Sequence, residues 1–241
     1  MTVKSIWLRR IHKWIGLIIG IQFLIWAISG AAMALLDMDE VAGGEMAEAT
    51  ASALPAGGLA WPRVQRAVGD RPVSNLTIRD LPQGPVFAVT TATGVKLFDA
   101  GDGKPVVIDR TAAASIASAA HPAGAAAARV RRLREITLAV RDHDPPIWQV
   151  DFGDAKLSSY YVSGTTGEIL ERRHETWRWW DLFWMLHNMD YANRTSFNHP
   201  LIITVGIAMA WLTVTGFWLL FRTMWRHDMG AIKRRFLRGD A

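Results

Sequence analysis

Two long runs without a charged residue, one near each end of the chain, constrain it more than any other feature. The first, residues 14–36, spans 23 positions with only Gln22 and Ser29 as polar interruptions, and the second, residues 200–221, spans 22. A hydrocarbon core about 30 Å thick takes about 20 helical residues, so each run is predicted to be a transmembrane helix. Ala32-Met33-Ala34 has the small-x-small form of a signal-peptide cleavage site. The apolar run is nonetheless longer than the roughly 7–15 residues of a signal core, so an uncleaved anchor is expected.

The flanks set the expected orientation. Lys4, Arg9, Arg10 and Lys13 precede the first run, and Arg222, Arg226, Lys233, Arg234, Arg235 and Arg238 follow the second. Loops rich in Lys and Arg stay in the cytoplasm. Residues 1–13 and 222–241 are therefore expected to be cytoplasmic tails of a bacterial inner-membrane protein, with the stretch between exported to the periplasm. Residues 37–176 carry 15 Lys and Arg against 18 Asp and Glu, so the net charge of +5 belongs to the tails. Such tails suit the anionic head groups of a lipid bilayer, and nucleic acid drops out as a partner. Most of the 12 tryptophans crowd near the two runs, as in an interfacial aromatic belt. With no cysteine, disulfides, thiolate catalysis, iron–sulfur clusters and c-type haem attachment are excluded.

The exported part opens with a linker rich in Ala, Gly and Glu, residues 37–58, and continues as a domain over 59–176. Its pattern reads as two similar halves. A helix near 61–68 precedes strand-like runs at 74–79, 86–91, 95–99 and 105–109. A second helix, 111–120, follows Asp109 as N-cap. A basic stretch, Arg129–Arg134, then leads to strands near 136–140, 147–152, 158–162 and 168–172. Alternating apolar and polar residues mark several of these as half-buried strands, and Asp102-Gly103 and Thr166-Gly167 supply turns. The expected fold class is a membrane protein: two transmembrane α-helices flanking an exported α+β domain with one antiparallel sheet. An aromatic interfacial helix and loop, 177–199, joins that domain to the second span.

Particular motifs carry a family resemblance. Ile147-Trp148-Gln149-Val150-Asp151-Phe152, then Tyr160-Tyr161-Val162 and Thr166-Gly167-Glu168-Ile169-Leu170, resemble the second half of a PepSY domain. His12-Lys13-Trp14-Ile15-Gly16 leading to Ser29-Gly30 is similar to the opening of PepSY-associated transmembrane proteins. Leu186-His187 and Leu212-Thr213-Val214-Thr215-Gly216 fit the helical part at the other end. Many relatives have four spans whereas this chain has two, so a function built inside a four-helix bundle implies a homodimer or another membrane subunit.

Larger members resemble inner-membrane ferric-siderophore reductases that carry b-type haem on histidines. The resemblance therefore implies haem b as cofactor, transmembrane electron transfer as activity and a ferric siderophore as substrate. His12, His187, His199 and His227 lie at the edges of the spans and are the cofactor-binding candidates, with His12 and His187 foremost as haem-iron ligands. His12 equally suits an interfacial residue among cations, and the aromatics around His187 equally suit a helix lying flat at the interface. His199 and His227 are 28 residues apart, about 42 Å along a helix, and do not share one haem. Pairing is expected within one membrane face, His187 with His199 or His12 with His227, or between copies. Gly16-x-x-x-Gly20 permits close helix approach, either to a second copy or to the chain's own second span. The exported domain offers no catalytic set: Asp142-His143-Asp144 reads as exposed loop charge, and no hydrolase or phosphate-loop motif occurs. The rival to a redox role is a non-enzymatic anchor whose PepSY-like domain binds or regulates a protein partner such as a peptidase.

Overall fold

In the computed structural model both charge-free runs are helices. The structure describes residues 3–238 apart from 48–52, 54, 56, 193, 195 and 197, with backbone alone at 3–5, 8 and 224–238. Helix α1 is Val3–Ala34 and α6 is Pro200–Arg238, each longer than the apolar run within it. The stretches fit to cross a membrane are Arg9–Ala34 and Pro200–Thr223. The chain divides into two units, residues 1–35 with 181–241, and residues 36–180.

The first unit is built on an antiparallel seam between α1 and α6. On α1 the positions turned inward are His12, Ile15, Ile19, Gln22, Trp26 and Ser29, and on α6 they are Ile202, Val205, Met209, Leu212, Gly216 and Leu219. Steps of three and four keep one stripe of each helix facing the other. A Cβ on Gly16 would lie 3.9 Å from Leu212, and one on Gly216 would lie 3.5 Å from His12, which fixes the direction. Gly20 meets nothing within 4 Å, so only the first glycine of Gly16-x-x-x-Gly20 belongs to this seam. Leu17, Ile18, Ile21, Phe23, Phe217, Trp218 and Phe221 point outward and are exposed, the arrangement of a lipid-facing surface.

The second unit repeats one plan twice. Helix α3 (Trp61–Val68) precedes strands β1 (Val73–Leu81), β2 (Gly84–Thr91), β3 (Gly94–Asp99) and β4 (Pro105–Val106). Helix α4 (Arg110–Ala120) precedes β5 (Arg129–Arg132), β6 (Ile147–Asp151), β7 (Ser159–Ser163) and β8 (Ile169–Arg173). Each quartet is an antiparallel meander, so the domain has two four-stranded sheets where one was expected. The first sheet stops at β4 because that strand has two residues and Pro105 lacks an N–H for a further ladder. Asp109 caps α4 as predicted, its Oδ1 accepting the Ala112 N–H at 2.8 Å.

Val86 and Ala88 of β2 share a core with Val150, Tyr160 and Val162 of the second sheet, under Ala113, Ile116 and Ala117 of α4. Phe87 and Val89 point the other way, beneath Val64 and Val68 of α3. Burial on both faces explains why 86–89 is a continuous apolar run. The segment 136–140, expected as a strand, is a 3-10 turn at Leu138–Val140, whose Ala139 and Val140 pack on Ile147 and Tyr161. The ladder position beside β6 is taken by Arg129–Arg132, with Arg129 opposite Asp151 and Arg132 opposite Trp148. An edge strand tolerates that charge because only Val130 packs on the core.

Part of the expected linker is ordered by a buried polar relay. Asp37 caps the short helix α2 (Met38–Val41), and the chain then passes Gly43 and Gly44. His174 Nε2 donates to Gly43 O at 2.7 Å, and Arg172 donates to Gly44 O at 2.9 Å. His174 Nδ1 lies 2.9 Å from Ser158 Oγ, and that hydroxyl donates to Asp154. His121 Nε2 adds a third hydrogen bond to Asp154 at 3.3 Å. Desolvation pushes the Asp154 carboxyl up, but the Ser158 hydroxyl and N–H, with His121, outweigh it and hold the group below its ordinary value.

Two predictions follow the geometry. Gly167 has φ +71°, and a Cβ there would come 3.1 Å from Leu81 and 3.3 Å from Ile108 and Ile116. Gly167→Ala is therefore expected to destabilise the protein by at least about 1–2 kcal/mol, read as a lowered thermal midpoint of the detergent-purified chain. The depressed Asp154 contributes stability that is present above its unfolded value and lost as pH falls through the folded one. Asp154→Asn should thus lower the melting temperature at pH 7 and flatten its decline below about pH 4. Unchanged melting curves would remove the relay from the account of stability.

Candidate functional site

A hydroxyl inside a membrane helix has one proton to place, and α1 and α6 both place it on their own backbone. Thr215 Oγ1 donates to Trp211 O at 2.8 Å, and Ser29 Oγ donates to Trp26 O at 3.1 Å. Each oxygen is left as an acceptor, and at each a histidine arrives.

His12 Nδ1 lies 2.8 Å from Thr215 Oγ1. Because the hydroxyl proton is committed to Trp211 O, the imidazole is the donor and its proton sits on Nδ1. Nε2 has no described hydrogen-bond partner. The ring stands over Gly216, with the Trp211 indole centroid 6.3 Å away. His12 lines a groove of about 420 Å³ together with Gly16, Leu212, Gly216, Phe217 and Leu220.

The second seat lies toward the other end of α1 and holds His187, near the end of α5 (Glu175–Asn188). His187 Nδ1 is 3.2 Å from Ser29 Oγ and 3.2 Å from Trp26 O. A carbonyl carries no proton, so Nδ1 is the donor, and Nε2 again has no described partner. The ring stacks on Trp26 at 5.5 Å and 27°, and the Trp26 N–H donates to His187 O. A Cβ on Gly30 would come 3.2 Å from the imidazole, so glycine opens the place the ring occupies. Ser29 lies 17 residues beyond His12 on α1, about 26 Å along the helix, so the two imidazoles sit at opposite ends of the seam.

Besides the Nδ1 contacts of His174 and His121, the other described histidines engage Nε2. His121 donates from it to Asp154, His143 to Glu171 at 3.0 Å, His174 to Gly43 O and His199 to Asn188 O at 2.7 Å. His199 thereby ties off the carboxyl end of α5 and retains only Nδ1 for a ligand. His227 lies in the part of α6 described by backbone alone. Of the within-face pairings, His187 and His199 both have described side chains, engaged through Nδ1 and Nε2 respectively, whereas for His12 with His227 only His12 is described beyond the backbone. Asp142-His143-Asp144 makes no metal centre: His143 is engaged with Glu171, and among the described residues no group of three or more His, Asp or Glu could hold a metal ion.

Haem is held through an axial nitrogen rather than by such a cluster, and an imidazole nitrogen is a fitting ligand. His12 and His187 each leave Nε2 without a described hydrogen-bond partner, so each end presents one nitrogen of that kind, and the groove at His12 leaves apolar space beside its ring. Sequence reasoning singled out both histidines and placed Ser29 and Thr215 in the quoted motifs, but gave neither these nor Trp26 and Trp211 a part in seating the rings. The signal available was the pairing of a small hydroxyl with glycine, Ser29-Gly30 and Thr215-Gly216, three or four residues after a tryptophan.

The model of one family, described as the PepSY-associated TM region, matches residues 9–239, and the chain belongs to that family. No curated protein and no solved structure matches it.

Proposed function

We propose that this member of the PepSY-associated transmembrane family is a haem-b-binding redox protein of the bacterial inner membrane. In this reading both tails are cytoplasmic, as the Lys and Arg flanks support. The central domain is periplasmic, and electrons passing outward reduce ferric iron there, including iron held by a siderophore. The observation that carries the reading is the pair of imidazoles seated toward the two ends of α1, each bound through Nδ1 with no described partner at Nε2. Bound haem b would supply one-electron transfer.

The chain's own residues do the rest. His12 and His187 offer the ligand nitrogens, Trp26 flanks the His187 ring, and the outward apolar faces of α1 and α6 keep the seam in hydrocarbon. Each end contributes one uncommitted Nε2 among the described side chains. A second copy of the chain, or another membrane subunit, is the natural source of the opposite axial ligand, with His199 Nδ1 and His227 as the sources within the chain.

The rival is a membrane anchor whose PepSY-like domain binds a protein partner. It is favoured by β1, a nine-residue edge strand that leaves Leu76 and Ile78 exposed. A reduced-minus-oxidised spectrum of the detergent-purified protein, expressed with ample haem, separates the two. A b-type α-band is expected, diminished in His12→Ala and in His187→Ala and retained in His143→Ala. A folded wild type without that band would sink the redox reading and leave the anchor.

A further inference from the structure

We infer that Thr215 and Ser29 are positioning residues that set the tautomers of His12 and His187, with Thr215 exerting the stronger control. The tautomer assignment stands on hydrogen bonding alone; its consequence for haem rests on the function proposed above.

The two seats share their parts although different elements supply them. On α6, Trp211, Thr215 and Gly216 receive a histidine from α1. On α1, Trp26, Ser29 and Gly30 receive one from α5. In both, the hydroxyl bonds back to the tryptophan's carbonyl three or four residues earlier, and this makes it an acceptor toward the imidazole. Gly30 opens space for the His187 ring, while a Cβ at Gly216 would meet the His12 ring at an ordinary 3.5 Å. A histidine that ligates iron through Nε2 has its orientation and basicity set by what Nδ1–H donates to, so these hydroxyls stand directly behind the ligands.

The seats differ in redundancy. His187 Nδ1–H has two acceptors, Ser29 Oγ and Trp26 O, both at 3.2 Å. His12 Nδ1 has Thr215 Oγ1 alone among the described hydrogen bonds, at the shorter 2.8 Å. Removing Ser29's hydroxyl leaves a carbonyl to hold the proton on Nδ1. Removing Thr215's leaves nothing described, and the ring is free to turn or to exchange its proton to Nε2.

The test compares Thr215→Val, Thr215→Ser, Ser29→Ala and wild type, all full length in detergent. Valine keeps threonine's shape, and serine restores the hydroxyl without the methyl. In haem-free protein labelled with ¹⁵N-histidine, the His12 resonances, assigned by their loss in His12→Ala, should show Nδ1 protonated in wild type and Thr215→Ser. Thr215→Val should show a mixture or the Nε2–H form. Haem titration should then give affinity reduced about 10–100-fold in Thr215→Val, within a few-fold of wild type in Thr215→Ser, and a smaller loss in Ser29→Ala. The midpoint potential should rise in Thr215→Val, because an imidazole whose N–H lacks an acceptor is a weaker donor to iron. A wild-type His12 protonated at Nε2 overturns the inference, as does a Thr215→Val protein with unchanged tautomer, affinity and potential. A Ser29→Ala defect exceeding that of Thr215→Val overturns the ranking. Should wild type take up no haem, the redox reading falls, and the nitrogen spectra alone decide the tautomer claim.

Discussion

The antiparallel seam between α1 and α6 is the constraint on which the membrane part depends. In hydrocarbon there is no hydrophobic force to join two apolar helices, so contact comes from close packing and from polar groups that find one another. Gly16 and Gly216 supply the closeness, one facing Leu212 and the other facing His12. The polar contact of this seam, His12 with Thr215, lies near one end, and a second histidine–hydroxyl pair, Ser29 with His187, joins α1 to α5. Neither works by itself: in an isolated α6 the Thr215 oxygen would have no donor, and in an isolated α1 His12 would face lipid without an acceptor. The same contacts that join the helices therefore also fix the imidazoles.

Glycine appears in this family pattern for a reason particular to the side chain it faces. Gly30 and Gly216 are not needed for backbone freedom, since both lie within regular helix. At Gly30 a Cβ would crowd an imidazole carbon at 3.2 Å, whereas at Gly216 it would stand 3.5 Å from one, an ordinary contact. Gly167 in the exported domain answers to the other cause, a positive φ in the turn after β7, compounded by core side chains crowding the space a Cβ would fill. Gly30 and Gly167, both in the quoted motifs, thus have two distinct physical origins.

Much of the fold was legible because its signals are local. Charge-free length marked both spans, the helix at Trp61–Val68 came out to the residue, and Asp109 announced α4. The repeat of helix followed by strands was visible, whereas the division into two sheets was not, because it turns on β4 being two residues long. Residues 136–140 alternate like a strand, yet the ladder beside β6 was claimed by a run of arginines that hydropathy does not favour. Asp154, Ser158 and His174 meet through the fold, and spacing alone gives no hint that they hold Gly43. At the site, four histidines stood out from their position near the spans. What separates His12 and His187 from the rest is the direction of one proton, and that depends on a partner 203 residues away in one case and 158 in the other.

The middle of the seam bears on what could pass between the two seats. From Ile15 to Ile25 the inward positions of α1 are Ile15, Gly16, Ile19, Gln22 and Ile25, so Gln22 is the single polar side chain there. Its amide nitrogen is buried and has no hydrogen-bond partner among the described residues. A proton relay needs donors and acceptors in continuous contact, and no such chain links His12–Thr215 with Ser29–His187 among the described hydrogen bonds. The two imidazoles are seated about 26 Å apart along α1, and the inward side chains between them are apolar apart from Gln22. That spacing is what the redox reading proposed above asks of carriers held toward either end of the helix.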